Sequence, residues 1–155
     1  MNGWSSSAAS HYIDGMFKTI VVGVEASEAG TRAAALAARL AGAGGRLVLV
    51  HVVHIPVVPA GAIGYAEQVA AKHRLEGDAL LERLASANAR PGLTIESRIT
   101  EQGRPADVLN RVASEVGADL LVLGRSHTSA LAHLFGGSTA DRLEHLAQVP
   151  VLVAP

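Results

Sequence analysis

Five short β-rich runs, four of them almost uninterrupted in Val, Leu and Ile, constrain the fold of this chain more than any other feature. A strand that is apolar at nearly every position is buried on both faces, as in a parallel sheet covered by helices. The third run, LTIESRIT, instead alternates apolar with polar residues and is typical of a half-exposed edge strand. The runs occupy residues 17–24, 46–53, 93–100, 119–124 and 149–154.

Helical patterns lie between these runs, and several of them carry end signals. Ser27 is predicted as the N-cap of the first helix and Gly42 as its stop. Pro105 in the first turn of the third helix and Gly117 at its end show the expected asymmetry of helix ends. Ser138 is predicted as the N-cap of the last helix. The four patterns cover residues 27–42, 64–89, 104–117 and 138–147.

The alternation of strand and helix predicts an α/β fold, a three-layer doubly wound sheet of five parallel strands. Right-handed crossovers leave two common strand orders, 3-2-1-4-5 and 2-1-3-4-5, and the edge character of the third run favours 3-2-1-4-5. Such sheets bind ligands beyond the carboxyl ends of the strands, where the order reverses, here between strands one and four. Residues 24–27 leave strand one, and residues 124–127 leave strand four.

Composition narrows the function classes. A chain of 155 residues with a formal net charge of −1 suits one domain without a nucleic-acid or acidic-membrane partner. The absence of cysteine excludes disulfides, thiolate catalysis and cysteine-ligated metals. Since no apolar run approaches the roughly 20 residues that cross a bilayer, and no signal peptide precedes the first strand, we expect a cytoplasmic protein. Residues 1–15 are predicted to be a flexible or tag-derived leader, with a short ordered arm as the alternative, and residues 16–155 a single domain.

Catalytic and metal-binding patterns are weak. The chain has neither a Gly-x-Ser-x-Gly nucleophile motif nor a Gly-x4-Gly-Lys-(Ser/Thr) phosphate loop, so we assign no catalytic residue. His51 and His54 are three apart, and strand alternation sends their side chains to opposite faces. We therefore predict no metal site, and expect His51 to be a buried, hydrogen-bonded histidine.

The segment GRSHTSALAHLFGGST, residues 124–139, has the chemistry of a phosphate loop. Glycines let backbone N–H groups approach phosphate oxygens, and the N-terminus of the following helix adds donors and positive potential. An alternative remains open, because Gly124 and Gly137 also suit simple turns. Likewise, Ser138 and Asp141 are a pair of residues whose only role could be to cap the last helix.

From residue 17 to the C-terminus the chain resembles the universal stress protein family. The resemblance is carried by KTIVVGVEASEAGTRAAALAARLA, LVLVHVV, GRPADVLNRVASEVGADLLVLG and VPVLVAP in this order and spacing. It implies a stress-response signalling module that binds ATP or another adenine nucleotide, with or without Mg²⁺. The implied contacts are Gly23, Val24, Glu25, Val52, Gly124, Arg125, His127, Gly137, Ser138 and Thr139.

One position departs from the pattern of the nucleotide-binding members, which is Gly-x2-Gly-x9-Gly-(Ser/Thr). Gly124 holds its first place and Gly137-Ser138 its last two, but His127 stands at the second glycine. Three interpretations stay open: His127 adopts the required backbone angle and contacts phosphate, fills the cleft, or is a solvated loop residue. By the same resemblance Val52 lines the adenine. Glu25, one methylene longer than the usual Asp, lies near the ribose, with a solvated residue at the helix entrance as the alternative.

The resemblance also implies self-association. In the family the last strand commonly pairs with its counterpart across a two-fold axis, and VPVLVAP is an apolar strand that needs cover. We predict a homodimer through residues 149–154, with an unidentified protein partner also compatible. The alternative function is a member without nucleotide that acts by dimerisation and partner docking, with His127 in the cleft. A slow ATPase is the third.

Overall fold

The fold is a five-stranded parallel sheet in the order β3-β2-β1-β4-β5, which confirms the order predicted from the sequence. The computed structural model describes residues 17–55, 57–100, 103–125 and 138–155, so the predicted leader lies outside the described residues. The strands are β1 (Phe17–Gly23), β2 (Ala41–Val52), β3 (Thr94–Thr100), β4 (Leu120–Gly124) and β5 (Val151–Ala154). The described helices are α1 (Glu28–Leu40), α2 (Ile63–Asn88), α3 (Pro105–Val116) and α4 (Ser138–Leu146).

Two hydrophobic cores cover the two faces of the sheet. Ile20 and Val22 of β1 pack on one face with the alanines of α1 and the leucines of α2. Val21, between them, points to the opposite face, where it packs with Leu109 of α3 and Leu143 of α4. The alternation along β1 thus supplies both cores, as expected of a strand that is apolar at consecutive positions.

The predicted N-terminus of α1 and both predicted ends of α3 are confirmed. Ser27 is extended and its hydroxyl accepts a hydrogen bond from the backbone N–H of Gly30 at 3.1 Å, so it caps α1. α3 begins at Pro105 and ends before Gly117, whose left-handed backbone closes the helix. α2 ends at Asn88, one residue before the end of the predicted pattern at residue 89. α4 starts at Ser138 itself, and its N-cap lies outside the described residues.

The start of β2 corrects the predicted boundary. β2 begins at Ala41 rather than at residue 46, and α1 ends at Leu40, so Gly42 is part of the strand and not the helix stop. Ala41 pairs with Phe17, whereas Arg46 pairs with Thr19. More residues lie between Ala41 and Arg46 than between Phe17 and Thr19, and the extra residues of β2 form a bulge. This bulge is rich in glycine, so its sequence does not resemble that of a strand.

Helix α2 is longer than the layer that it covers. It spans 26 residues, about 39 Å at the rise of an α-helix. Its buried residues begin at Gly77, and Leu80, Leu81 and Leu84 then pack into the core. The preceding residues from 64 to 76 include half-buried but no fully buried side chains. The N-terminal half of α2 therefore extends past the core at the carboxyl edge of the sheet, which is the edge at which the parallel strands end.

Candidate functional site

The carboxyl ends of β1 and β4 form the crevice at which the chain reverses direction across the sheet. Gly23, the last residue of β1, pairs with Val50 of β2 on one side and Leu123 of β4 on the other. The helix after β1 packs on one face of the sheet, and Leu143 of the helix that precedes β5 packs on the opposite face. The two crossovers therefore diverge, which opens a crevice between the segments that follow β1 and β4.

Glu25 lies at the β1 side of this crevice and is only 7% exposed. Its carboxylate accepts a hydrogen bond from the Ser27 hydroxyl at 3.0 Å, and the backbone N–H of Ser27 donates to the Glu25 carbonyl at 2.8 Å. Ser27 thus caps α1 and also fixes the Glu25 side chain. The alternative that Glu25 is a solvated residue at the helix entrance is wrong, because the cap draws the carboxylate into the protein.

Gly124, on the β4 side, lies against the first turn of α1. A Cβ at this position would come within 2.4 Å of the Ala29 carbonyl oxygen and 3.0 Å of the Gly30 nitrogen. Backbone atoms cannot move aside as a side chain can, so only glycine fits here. Close packing between β4 and α1 therefore requires Gly124 whether or not a phosphate binds. The next residue, Arg125, is exposed, and its backbone N–H donates to Ala154 of β5 at 2.8 Å.

His51 joins the ends of β1 and β2. Its Nδ1 lies 2.9 Å from the Val24 carbonyl oxygen. Since a carbonyl can only accept, Nδ1 carries the hydrogen and Nε2 is the acceptor of the neutral ring. The prediction of a hydrogen-bonded histidine at the strand end is confirmed, although the residue is half-buried rather than buried. His51 thereby holds the backbone that precedes Glu25.

A cavity of about 180 Å³ lies beside this contact, between the end of β2 and α2. His51, His54 and His73 all border it, and the Nδ1 of His73 lies 2.9 Å from the backbone carbonyl oxygen of His54. β2 ends at Val52, so His54 lies beyond the strand, and the prediction of opposite faces for His51 and His54 stays a prediction. The cavity is lined by Ala26, His51, Val52, His54, His73, Glu76, Gly77 and Leu80.

The phosphate half of the predicted site is only partly described. Gly137 and His127 lie outside the described residues, so the three interpretations of His127 stay as they were. Ser138 and Thr139 are the first residues of α4. In a right-handed crossover the helix runs antiparallel to the strands, so the N-terminus of α4 lies at the carboxyl edge with the crevice. The described geometry thus brings Gly23, Val24, Glu25, Val52 and Gly124 to this edge.

Helix α4 is held in place at its middle. Leu143 is fully buried against the α3 face of the sheet. Arg142 donates from Nε to one Asp107 carboxylate oxygen at 3.0 Å and from Nη2 to the other at 3.3 Å, a two-point contact with α3. These contacts fix the position of α4, and with it the position of the helix N-terminus at the crevice.

Three residues at this edge were not singled out from the sequence: His73, Glu76 and Gly77 of α2. A Cβ on Gly77 would lie 2.5 Å from His51 Cδ2, so the glycine lets α2 approach the histidine. A glycine inside a long helix is the signal that could have found this approach, because it costs about 1 kcal/mol relative to alanine and is kept for a packing reason. His73 carries no comparable signal in the sequence.

Two other findings concern the described residues alone. Among them, no three His, Asp or Glu side chains are grouped so that they could hold a metal ion. No helix within these ranges is both long and apolar enough to span a bilayer.

Comparison with known proteins gives a family match over nearly the whole chain. Residues 16–155 match the model of the universal stress protein family. The chain is similar to a Thermus aquaticus protein named universal stress protein in QAH/OAS sulfhydrylase 3′ region. The two are 37% identical over 139 residues, which cover 89% of this chain and 98% of the relative.

Solved structures give the same result for the fold. A universal stress protein family member from Burkholderia pseudomallei is 30% identical with a TM-score of 0.71, over 91% of this chain and 98% of its own. A universal stress protein crystallised in complex with cAMP is 25% identical with a TM-score of 0.55, over 91% of this chain and 98% of its own. The likeness in both cases extends across the sheet and its helices rather than over one motif.

Proposed function

The chain belongs to the universal stress protein family, and we propose that it is a stress-response module that binds an adenine nucleotide in the crevice between β1 and β4. Binding at this edge would alter the loop that follows β4 and so change the surface that a partner recognises. A ligand shifts such a loop only by its different affinity for the two conformations.

The observation that carries the proposal is the divergence of the two crossovers at the ends of β1 and β4. In open α/β sheets this is the position at which ligands bind. A universal stress protein of the same fold has been crystallised with cAMP, an adenine nucleotide. The family relationship and the crevice therefore support the same ligand class.

The residues at the crevice divide by the part of the nucleotide that each would contact. Val52 offers an apolar side chain to the base at the end of β2. Glu25 would approach the ribose after its hydrogen bond with Ser27 is exchanged for one with the sugar. The N-terminus of α4 offers unpaired backbone N–H groups to the phosphates. We assign the remaining contacts with the nucleotide to Gly23 and Val24. The residues to which we assign contact with the phosphates are Gly124, Arg125, His127, Gly137, Ser138 and Thr139.

A second candidate is favoured by Gly124. Since contact with the Ala29 carbonyl already requires a glycine there, the first glycine of the motif does not depend on a nucleotide. The second candidate is a member of the family in which His127 fills the cleft and the function is dimerisation or partner docking. The two candidates differ in one property, which is whether the free protein binds adenine nucleotides.

Thermal unfolding with and without ATP, ADP, AMP and cAMP, each with and without Mg²⁺, separates the two candidates. At 100 times its dissociation constant a ligand adds about 2.7 kcal/mol to the free energy of unfolding, which raises Tm by roughly 5–10 °C for this size of domain. We expect such a rise with at least one nucleotide, and its loss in Gly137→Asp, which places a carboxylate among the phosphate contacts.

The matched control is Ala43→Asp, which adds the same carboxylate to an exposed residue at the start of β2, the opposite edge of the sheet. It should keep the nucleotide-dependent rise in Tm. An unchanged Tm with every nucleotide at millimolar concentration, after removal of carried-over ligand, would contradict the proposal and favour the second candidate.

A further inference from the structure

Helices α1 and α2 cover the same face of the sheet, and most of the charged side chains on their outer surface are arginines. The alanines of α1 and the leucines of α2 pack into one core. Because each helix connects two neighbouring parallel strands, the two helices run in the same direction. Residues 28–40 and 80–90 together carry four arginines and two carboxylates. These charged residues, all exposed, are Arg32, Arg39, Arg83 and Arg90, with Glu28 and Glu82.

The four arginines lie in two pairs, one from each helix. Arg32 and Arg83 border the same open groove of about 520 Å³ between α1 and α2. Arg39 lies in the last turn of α1, and Arg90 donates from Nη2 to the backbone carbonyl of Ala41, directly after α1, at 2.6 Å. Seven residues of helix, the spacing of Arg32 and Arg39, are about 10 Å long. We call these four residues the arginine patch. The other residues that line the groove are Ala26, Ser27, Glu28 and Thr31.

Most of the positive charge of the arginine patch is not neutralised by close ion pairs. Neither Arg39 nor Arg83 makes a side-chain hydrogen bond or ion pair with another described residue. Arg32 donates from Nε to the Pro155 carbonyl at 2.7 Å, and its Nη1 lies 3.4 Å from the Glu28 carboxylate. That ion pair is on the surface, with side chains 53% and 93% exposed, and pairs of this kind contribute little. The patch therefore keeps guanidinium N–H donors for another molecule.

The residues around the arginine patch are small. The exposed large apolar side chains of the described residues all lie outside residues 28–40 and 80–90. A partner would thus find no apolar anchor here, but it could approach the helices closely and contact the arginines. The uncharged exposed residues of the two stretches are Ala35, Ser86, Ala87 and Ala89.

The chemistry of the arginine patch selects its partner. A guanidinium group is planar, can bind a carboxylate at two points and is more weakly hydrated than an ammonium group, which suits it to protein interfaces. We propose that the arginine patch docks a segment of a partner protein that is rich in Asp and Glu. The open groove between Arg32 and Arg83 would take a carboxylate side chain of that segment.

Two further observations define the scope of this proposal. The formal net charge of the chain is −1, which gives no long-range attraction to a nucleic acid, so an acidic protein segment fits better than a phosphate backbone. None of the four arginines is assigned to the nucleotide. The docking surface therefore goes beyond the proposed function and is compatible with either candidate function.

The test is the fluorescence anisotropy of a labelled oligoglutamate peptide titrated with the full chain at low ionic strength, where surface charges are screened least. An oligoglutamine peptide of the same length is the uncharged control. The variant combines Arg39→Gln with Arg83→Gln, because neither side chain has a contact to lose within the described residues. We expect the oligoglutamate peptide to bind, the oligoglutamine peptide not to bind, and the double variant to raise the dissociation constant by about threefold to tenfold.

The matched control combines Arg104→Gln with Arg111→Gln. It removes the same charge from exposed residues at the start and on the outside of α3, which packs on the opposite face of the sheet. The dissociation constant should stay within about twofold of the wild-type value. NMR spectra of the ¹⁵N-labelled chain give a second readout, in which the peptide should shift the amides of Ala35, Ser86 and Ala87 and leave those of α3 unchanged.

Three results would overturn the proposal: no saturable binding of the oligoglutamate peptide, an equal loss of affinity in the two double variants, or shifts confined to α3. Tighter binding of an oligonucleotide of the same charge would also overturn it, in favour of a nucleic acid. The Tm of each variant reports whether it is folded, and the single variants replace a double variant that is not. The proposed function is tested separately, by the rise in Tm with nucleotide.

Discussion

At the scale of single residues, Gly77 shows how one missing side chain positions a part of the site. It lets α2 pass close to His51, which in turn holds the Val24 carbonyl at the crevice. A helix with alanine at residue 77 would have a better intrinsic propensity, yet it could not make this approach. The packing of the His51 ring thus depends on a residue from a distant part of the chain.

We predict that Gly77→Ala destabilises the protein by about 1–2 kcal/mol. The added Cβ would lie 2.5 Å from His51 Cδ2 and 2.8 Å from Ile99 Cδ1, so both side chains must move. This cost exceeds the gain in helix propensity of about 1 kcal/mol. Urea unfolding measures the difference.

The matched control is Gly64→Ala in the same helix, where an added Cβ meets no atom within 4 Å. It should leave the free energy of unfolding unchanged or raise it by up to about 1 kcal/mol. A Gly77→Ala variant as stable as Gly64→Ala would show that α2 does not approach His51 as closely as described.

At the scale of elements, the two edges of the sheet differ in their side chains. On β3, Glu96 accepts hydrogen bonds from Arg46 of β2 and from Arg98 of its own strand, the latter at 2.6 Å, and Arg98 also reaches Glu115 of α3 at 3.0 Å. Charged side chains on an edge strand oppose pairing with another sheet. β5 instead carries the apolar sequence VLVA.

The charge cluster on β3 makes stability depend on pH. Hydrogen bonds from Arg46 and Arg98 lower the pKa of the Glu96 carboxyl from its ordinary value of 4.5. A carboxyl whose pKa is lowered in the folded state adds stability that is complete above its unfolded pKa and is lost as pH falls through the folded value. Since the side chain is 33% exposed, solvent screening reduces this contribution to under about 1 kcal/mol.

We therefore predict that Glu96→Gln lowers the free energy of unfolding at pH 7 by up to about 1 kcal/mol and that the difference is smaller at a pH below the ordinary value of 4.5. Urea unfolding of both proteins at the two pH values measures it. Glu82→Gln, at an exposed residue of α2, serves as the control and should show no such pH-dependent difference. A loss of equal size at both pH values would contradict the role of the ionised carboxylate.

The elements also show what the sequence can and cannot predict. Four nearly continuous apolar runs and one alternating run located the five strands, and Ser27 and Pro105 located two helix starts, because each signal is local. The early start of β2 was missed because a glycine-rich bulge has no apolar pattern.

The candidate site divides in the same way. Gly124 and Glu25 could be assigned to the crevice because they lie at or just beyond the ends of strands, and the strand order fixes where those ends meet. The residues of α2 at this edge could not be assigned to the site from the sequence, because they reach it only through the path of α2 over the sheet. They are His73, Glu76 and Gly77. Nothing in the sequence near residue 73 indicates which strand the helix crosses.

At the scale of the whole molecule, the apolar edge at β5 favours self-association. Val153 is 38% exposed and the strand pairs with β4 on one side. We predict a homodimer through residues 149–154, and predict that Val153→Lys converts it into a monomer because a charge at the edge opposes strand pairing. Light scattering coupled to size exclusion measures the mass of each.

The control for this prediction is Thr94→Lys, which puts the same charge at an exposed residue on the opposite edge strand, β3, and should leave the dimer intact. A wild-type mass equal to one chain at every concentration would contradict the dimer.

NMR titration of the ¹⁵N-labelled chain with AMP and ATP tests whether a nucleotide binds in the crevice between β1 and β4. We expect saturable shifts of the backbone amides at the carboxyl edge, while amides at the amino edge stay unchanged. Shifts confined to the amino edge, or none at millimolar nucleotide, would contradict nucleotide binding between β1 and β4. The amides expected to shift are those of Gly23, Val24, Glu25, Val52, Gly124 and Arg125, and those expected to stay are Arg46, Thr94 and Ala118.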